Sequence, residues 1–252
     1  MIPRILLSLA LIFAPTQKIA GPVKIAGPVT VAAPAAATVI TFTFQQEIVC
    51  VNPSFTTACT FSVTTHAGSM GVFIGRVGGT GNHISSISAG AGSWTLNPSV
   101  NGNSCEYTQP GNNLDCAQII NESSFTGTIT VTYSGGAPIG LYCEYSYTGG
   151  TPSLKSANSA DLGTGTSIVG LAVSLGGSSN IIIQGLGENG VTCTGISGGG
   201  FGSPAWSDFS ISNSNAFAGA GSAVNTANGG APTWACSSTH AVGQVMVYGG
   251  TP

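Results

Sequence analysis

Residues 126–150 read TGTITVTYSGGAPIGLYCEYSYTGG. In the first part Ile129, Val131 and Tyr133 alternate with Thr128, Thr130 and Thr132; in the second, Ile139, Leu141, Cys143, Tyr145 and Tyr147 alternate with Gly140, Tyr142, Glu144 and Ser146. A period of two sends one set of side chains to a buried face and the other outward, so both halves are expected to be strands. Gly135, Gly136 and Pro138 supply the turn between them. The expectation is a β-hairpin in the middle of a sheet, with Cys143 on its buried face and Glu144 pointing outward between Tyr142 and Ser146.

Outward from that stretch the same punctuation recurs. Strand-like runs fall at 38–44, 58–64, 70–77, 83–88, 93–96, 116–121, 167–175, 179–184, 207–212, 215–224 and 241–248. They are separated by Gly, Asn and Ser turns, and no window sustains a capped 3.6-residue pattern. About a dozen short strands predict an all-β, two-sheet β-sandwich of jelly-roll-like kind with essentially no long helix. The 252-residue length suits one large β domain or two small ones. The Gly/Ser/Thr-rich stretch 149–166 is the place for a break, but dividing there leaves few strands on each side. A single sandwich over 38–252 is expected.

Composition narrows the function classes. The chain holds 38 Gly and 13 charged residues, 5 basic and 8 acidic. Arg4, Lys18 and Lys24 lie in the first 24 positions, which leaves Arg76 and Lys155 against all eight acids from residue 40 onward, a balance of 2 − 8 = −6. Nucleic-acid binding needs a basic surface that releases counterions, and this chain has none. Exposed sheet faces of Ser, Thr and Asn account for the polar residues.

Residues 1–13, MIPRILLSLALIF, set one Arg before the apolar run Ile5–Phe13. That is the pattern of a secretory signal peptide, here placed at 1–17, and the run is too short to span a bilayer. The chain is expected to be secreted or held at the cell surface, and a membrane enters only if this segment stays uncleaved as an anchor. Residues 18–29 repeat KIAGPV twice, followed by TVAAPAAA to Ala37. Gly-Pro in each unit argues for an extended linker over 18–37. A sharper reading makes this arm a strand added to a neighbouring molecule's sheet edge, a route to self-assembly.

Seven cysteines, at 50, 59, 105, 116, 143, 193 and 236, fit an oxidising compartment. Cys50 and Cys59 flank a short connection, and Cys105 and Cys116 bracket the loop 106–115; each couple is expected to pair, as are Cys193 and Cys236. Cys143 is left as a buried free thiol. No CxxC pair is present, and His66, His83 and His240 share no ligand spacing, so no metal or cofactor is expected. Asn112, Asn113 and Asp115 could offer oxygens to calcium, but a turn closed by Asx hydrogen bonds explains them more simply.

Enzyme-like strings occur at two places. GLGENG, Gly185–Gly190, matches GxGxxG but no helix can follow it, and it reads as a turn. GISGG, Gly195–Gly199, matches GxSxG around Ser197 without a strand-to-helix elbow or a supporting acid and histidine. No pair of sequence-near acids suits glycoside cleavage. The chain is therefore expected not to be an enzyme. Aromatics supply the one binding hint: Trp206 beside Asp208, with Tyr142 and Glu144, could hold a glycan by stacking and hydrogen bonding, while Trp94 belongs to the core and Trp234 to a connection.

Four stretches together carry a resemblance. ISSISAGAGSWTL (84–96), ITVTYSGGAPIGLYCEYSYTGG (129–150), SIVGLAVSL (167–175) and AVGQVMVYGG (241–250) resemble, in order and character, a diffuse group of exported bacterial Gly/Ser/Thr-rich jelly-roll domains. The resemblance implies a lectin-like sandwich on a surface or extracellular protein, and it implies no catalytic residues. The cysteine set and the KIAGPV arm stand outside that pattern. The function expected is adhesion or envelope and filament structure, with a glycan or a cell-surface protein as partner; a carbohydrate-binding module is the alternative.

Overall fold

The computed structural model of the chain describes residues 39–50, 52, 56–88, 90–173, 175, 180–188, 193–198, 207–213, 216–226 and 229–250. The expectations for the signal segment 1–17, the linker 18–37 and Trp206 lie outside the described residues. The described strands belong to one compact unit, Ala37–Pro252. In chain order they are β1 (Thr41–Cys50), β2 (Ala58–Thr65), β3 (Met70–Val77), β4 (Ile84–Ile87), β5 (Thr95–Leu96), β6 (Ser99–Val100), β7 (Asn103–Ser104) and β8 (Asn113–Ile120). There follow β9 (Phe125–Tyr133), β10 (Ile139–Thr148), β11 (Ser153–Val169), β12 (Asn180–Glu188), β13 (Cys193–Ser197), β14 (Ser207–Asn213), β15 (Ala216–Thr226) and β16 (Thr233–Gly249). The fold is all-β, as expected, and no helix occurs among the described residues.

Residues 126–150 do not form a hairpin. β9 pairs with β2 and β4 in a three-stranded sheet, whereas β10 lies between β1 and β3 in a five-stranded sheet of order β1-β10-β3-β8-β5. The connection 134–138 crosses from one sheet to the other. The physical reason is readable in the two strands. β9 alternates apolar residues with threonine, as a strand with one wet face does. β10 carries Leu141, Tyr142 and Cys143 in succession and Tyr145 after Glu144, as a strand buried on both faces does.

Both faces of the five-stranded sheet are indeed covered. On one face Val72, Ile74, Leu141, Cys143 and Tyr145 pack with Ile181, Ile183, Met246 and Tyr248 of a third sheet, of order β11-β16-β12-β15-β14 with β13 also on β16. On the other, Phe73, Ala117 and Tyr142 pack with Phe61, Val63, Ile129 and Val131 of the three-stranded sheet. All eight residues of β3 are buried. The sandwich thus has a central layer with a sheet on each side.

Pairings in the first part of the chain nest: β1 with β10, β2 with β9, β3 with β8. Nesting of this kind is shared by jelly rolls, whose eight strands divide between two sheets; here the smaller sheet has three described strands.

Other expectations are corrected. The Gly/Ser/Thr-rich stretch 149–166 is largely strand: β11 runs 17 residues along β16 at the sheet edge, with register shifts at three places. Large apolar side chains are sparse there because only one strand neighbours it. Leu171, Val173 and Leu175, whose alternation predicts a strand, lie outside the strands. They cover Ile182, Val245 and Val247 on the outer face of the third sheet. Gln184 pins that cover by accepting from the Leu171 amide at 3.2 Å and donating to its carbonyl. Gly185–Glu188 of the GLGENG string continues β12 rather than turning. Trp234, placed in a connection by sequence, lies within β16 and is 1% exposed.

The three disulfides join Cys50 to Cys59, Cys105 to Cys116 and Cys193 to Cys236, and Cys143 is free and buried. Three bridges point to an oxidising environment.

Candidate functional site: a buried carboxyl pair

At one end of the sandwich the turn after β2 meets the turn after β8. Two backbone hydrogen bonds join them, Gly68 N to Glu122 O at 2.8 Å and Glu122 N to Ser69 O at 2.8 Å. Gly68 and Asn121 adopt φ of 80° and 61°, the left-handed turns that bring the segments face to face. Glu122 is thereby carried under the sheet surface, where β10 presents Tyr142 and Glu144 on the same face.

Glu144 is fully buried and Glu122 is 2% exposed. The outward orientation expected for Glu144, and the ligand-facing role expected for Tyr142, are both corrected: the three-stranded sheet covers that face of β10. Tyr142 is fully buried, stacked on Phe61 at 5.1 Å and edge-on to Trp94 at 6.2 Å. Room for the pair comes from Gly71. A Cβ there would lie 2.7 Å from Tyr142 Cε2, 2.9 Å from Ile119 Cγ2 and in hard contact with the Glu122 carboxyl.

Every oxygen of the pair is engaged. Tyr142 donates its hydroxyl to Glu122 Oε1 at 2.7 Å. Glu144 Oε1 accepts from the His66 amide at 2.8 Å and lies 3.1 Å from His66 Nδ1, while Glu144 Oε2 accepts from Gln46 Nε2. Ser69 Oγ stands between the carboxyls, 2.7 Å from Glu122 Oε2 and 2.6 Å from Glu144 Oε1, and 2.6 Å from the His66 carbonyl. A serine hydroxyl has one proton for those three oxygens. Another proton is needed, and Glu122 is the group placed to supply it by donating to Ser69 Oγ.

The electrostatics agree with that count. Burial pushes the Glu122 carboxyl up to about 7; its hydrogen-bonded contacts with Ser69 and Tyr142 oppose this without cancelling it, and the neighbouring Glu144 charge adds to it. Glu144 goes the other way. Burial works to raise it, but hydrogen bonds from Ser69, Gln46 and His66 outweigh burial and hold it below the usual carboxylate range. Tyr142 is raised by burial and by Glu122. Two close carboxyls with opposite shifts share one proton. Such a pair is suited to acid–base work, but here both members spend their oxygens within the fold, clasping two turns to the central sheet.

Sequence reasoning selected Glu144 and Tyr142 but missed Glu122, Ser69, His66 and Gln46. No linear signal joins them, because apart from the local Ser69–His66 bond the contacts between them span 20 to 98 residues. Of the other expected ligand residues, Asp208 lies in β14 opposite Gly221.

The remaining sequence candidates find internal partners. Asn112 accepts from Arg76 Nε at 3.1 Å and donates to the Gly187 carbonyl at 3.0 Å. Asn113 accepts from the Gln109 amide and donates to the Gly79 carbonyl. Asp115 accepts from Asn97 Nδ2 at 2.9 Å and is pushed to about 6 by burial. These oxygens hold the loop rather than converge on a cation. Ser197, the centre of GxSxG, lies on strand β13 and donates to the Thr233 carbonyl at 3.3 Å. His240 pairs with Asp161 at 2.8 Å on the surface. Among the described residues one set of metal-ligating side chains falls together: Glu188, Cys193 and Cys236.

No family model matches this chain, and neither the curated proteins nor the solved structures contain a match to it.

Proposed function

We propose that this chain is an exported, non-catalytic β-sandwich protein that acts by adhesion at or outside the cell surface, and that the outer face of the sheet β2-β9-β4 makes the contact. The observation that carries this reading is an uncharged hydroxyl face. Along β2 and β9, Thr60 stands opposite Thr130, Ser62 opposite Thr128 and Thr64 opposite Thr126, with Thr132 beside Ser86 of β4. All eight are exposed or half-buried on the side turned away from the central sheet.

Strand geometry spaces such side chains by about 4.8 Å across the sheet and about 6.7 Å along it. Threonine is stiff at χ1, so its hydroxyls are held in place before any contact and lose little freedom on binding. With no charge in the array, the fitting partner is a neutral, hydroxyl-rich surface such as an insoluble polysaccharide. Adjacent hydroxyls touch one another only at the long distances of 3.1 Å for Thr64–Thr126 and 3.4 Å for Ser62–Thr128, and keep lone pairs and protons for a partner.

The engaged carboxyl pair supports the non-catalytic part of the reading. The signal-like residues 1–13, the three disulfides and the resemblance to exported jelly-roll domains support the location. The test is co-sedimentation with particles of an uncharged insoluble polysaccharide, comparing wild type with Ser62→Lys/Thr128→Lys. Retention of wild type that persists in high salt, and its loss in the double variant, is the expected result. Equal retention of both proteins would remove this face from the account.

A further inference from the structure

We propose that Glu188, Cys193 and Cys236 form a binding site for a divalent metal of the zinc class when the Cys193–Cys236 bridge is reduced. Three strands bring the groups together. Glu188 ends β12, Cys193 opens β13, and β16 sets Cys236 directly opposite Cys193. One ligand atom from each residue lies within 4.8 Å of the other two.

The independent observation is an unclaimed oxygen. Glu188 is fully buried, its Oε1 lies 3.2 Å from Cys193 Sγ, and among the described residues its Oε2 has no hydrogen-bond partner. Arg76, whose charge acts on Glu188 through space, directs its Nε and Nη2 donors to Asn112 and to the Gly111 carbonyl. A buried polar atom without a partner is costly, and Glu188 keeps this oxygen open beside the two sulfurs, where the reduced pair would need a third donor. Ile168, Leu186, Trp234 and Ala241 pack around the group and give it an apolar shell.

The donor set chooses the metal. Two thiolates and one carboxylate fill three positions of a tetrahedron and leave the fourth for water, as zinc accepts. Calcium and magnesium require six or more oxygens, and thiolate donors select against them. The chemistry is a two-electron exchange followed by proton displacement. A dithiol reductant gives up two electrons and two protons and closes to its own disulfide; the Cys193–Cys236 bond breaks to two thiols. The metal ion then displaces both thiol protons, forming two metal–sulfur bonds and one metal–oxygen bond to ionised Glu188. Rotation about the two Cα–Cβ bonds on facing strands separates the sulfurs without moving the sheet. In an oxidising compartment the bridge occupies the same place, so bridge and metal exclude each other.

The test uses the full chain, reduced with dithiothreitol, desalted under argon and titrated with cobalt(II) as the probe. Expected are one equivalent bound, visible bands of tetrahedral cobalt and a thiolate-to-cobalt charge-transfer band. Both should be absent from the oxidised protein and from the reduced Cys193→Ser/Cys236→Ser variant, which retains the other cysteines. Glu188→Gln should weaken binding by about tenfold or more, at least the loss produced by removing an outer partner at known metal sites. The proposal fails if the serine variant gives the same charge-transfer band, or if Glu188→Gln binds cobalt as tightly as wild type. It fails equally if reduction abolishes the strand circular dichroism and cobalt does not restore it, because the site needs β12, β13 and β16 in place.

Discussion

Replacing Glu122 by glutamine should stabilise the protein at alkaline pH and leave it nearly unchanged in acid. In the fold the Glu122 carboxyl is raised from 4.5 to about 7. Below pH 4.5 folded and unfolded chains both hold the proton, and the group contributes no difference. Between 4.5 and about 7 only the unfolded chain releases it, so stability falls as pH rises; above that both are ionised and the loss is complete. At about 1.4 kcal/mol per pH unit the full loss is about 3 kcal/mol. Glutamine keeps the hydrogen bonds of the protonated acid: its oxygen accepts from Tyr142, and its amide donates to Ser69 Oγ. It has no charge to bury. Asp115 and Glu188 are also raised, by burial, and tilt the wild-type profile the same way, but they are common to both proteins and cancel in the difference. Urea unfolding of wild type and Glu122→Gln at several pH values should show a difference near zero at pH 4.5 that grows to about 3 kcal/mol in favour of the variant at pH 8. A difference that stays constant across that range would mean that Glu122 holds no proton in the fold, and the one-proton account of the clasp would be refuted.

Three further outcomes follow from the same packing. Gly71→Ala forces a methyl against Tyr142, Ile119 and the Glu122 carboxyl, and should cost about 1–3 kcal/mol in urea unfolding; no loss would mean that the clasp has slack. Gln184→Ala removes both hydrogen bonds to Leu171 and should expose the segment 170–175 to limited proteolysis while the sheets stay intact, as a mass-mapped cleavage site reveals. Cys143 is buried with its thiol pushed up by burial, so a thiol reagent should count none in the native oxidised protein and one per chain in denaturant. A reactive thiol in the native state would contradict the packing of the central sheet on the third sheet.

Much of the fold was legible because period-two alternation reports burial on one side. Where Ile129, Val131 and Tyr133 alternate with threonine, strand and outer face could both be read. Where both faces of a strand are covered, alternation no longer reports burial. Leu141 to Tyr145 are buried on both sides, so Glu144 looked outward by parity while a sheet covered it. The edge strand β11 hides because serine, glycine and asparagine satisfy its single neighbour without large side chains. Leu171, Val173 and Leu175 alternate as a strand does, yet they serve as a cover. The cysteine pairs were accessible for a different reason: two of them close loops of 9 and 11 residues, a separation that sequence displays directly. The partner of Glu144 could not be read at all, since Glu122 reaches it only through the meeting of two turns. Arrangements of that kind depend on which sheets face each other, a property of packing and not of local pattern.

The most direct measurement for the adhesion account is hydroxyl-radical footprinting of the protein bound to polysaccharide particles, against the free protein. The account predicts that protection concentrates on Thr60–Thr64 and Thr126–Thr132, with the third sheet unchanged. Protection confined to the third sheet, with β2 and β9 as reactive as in free solution, would contradict it.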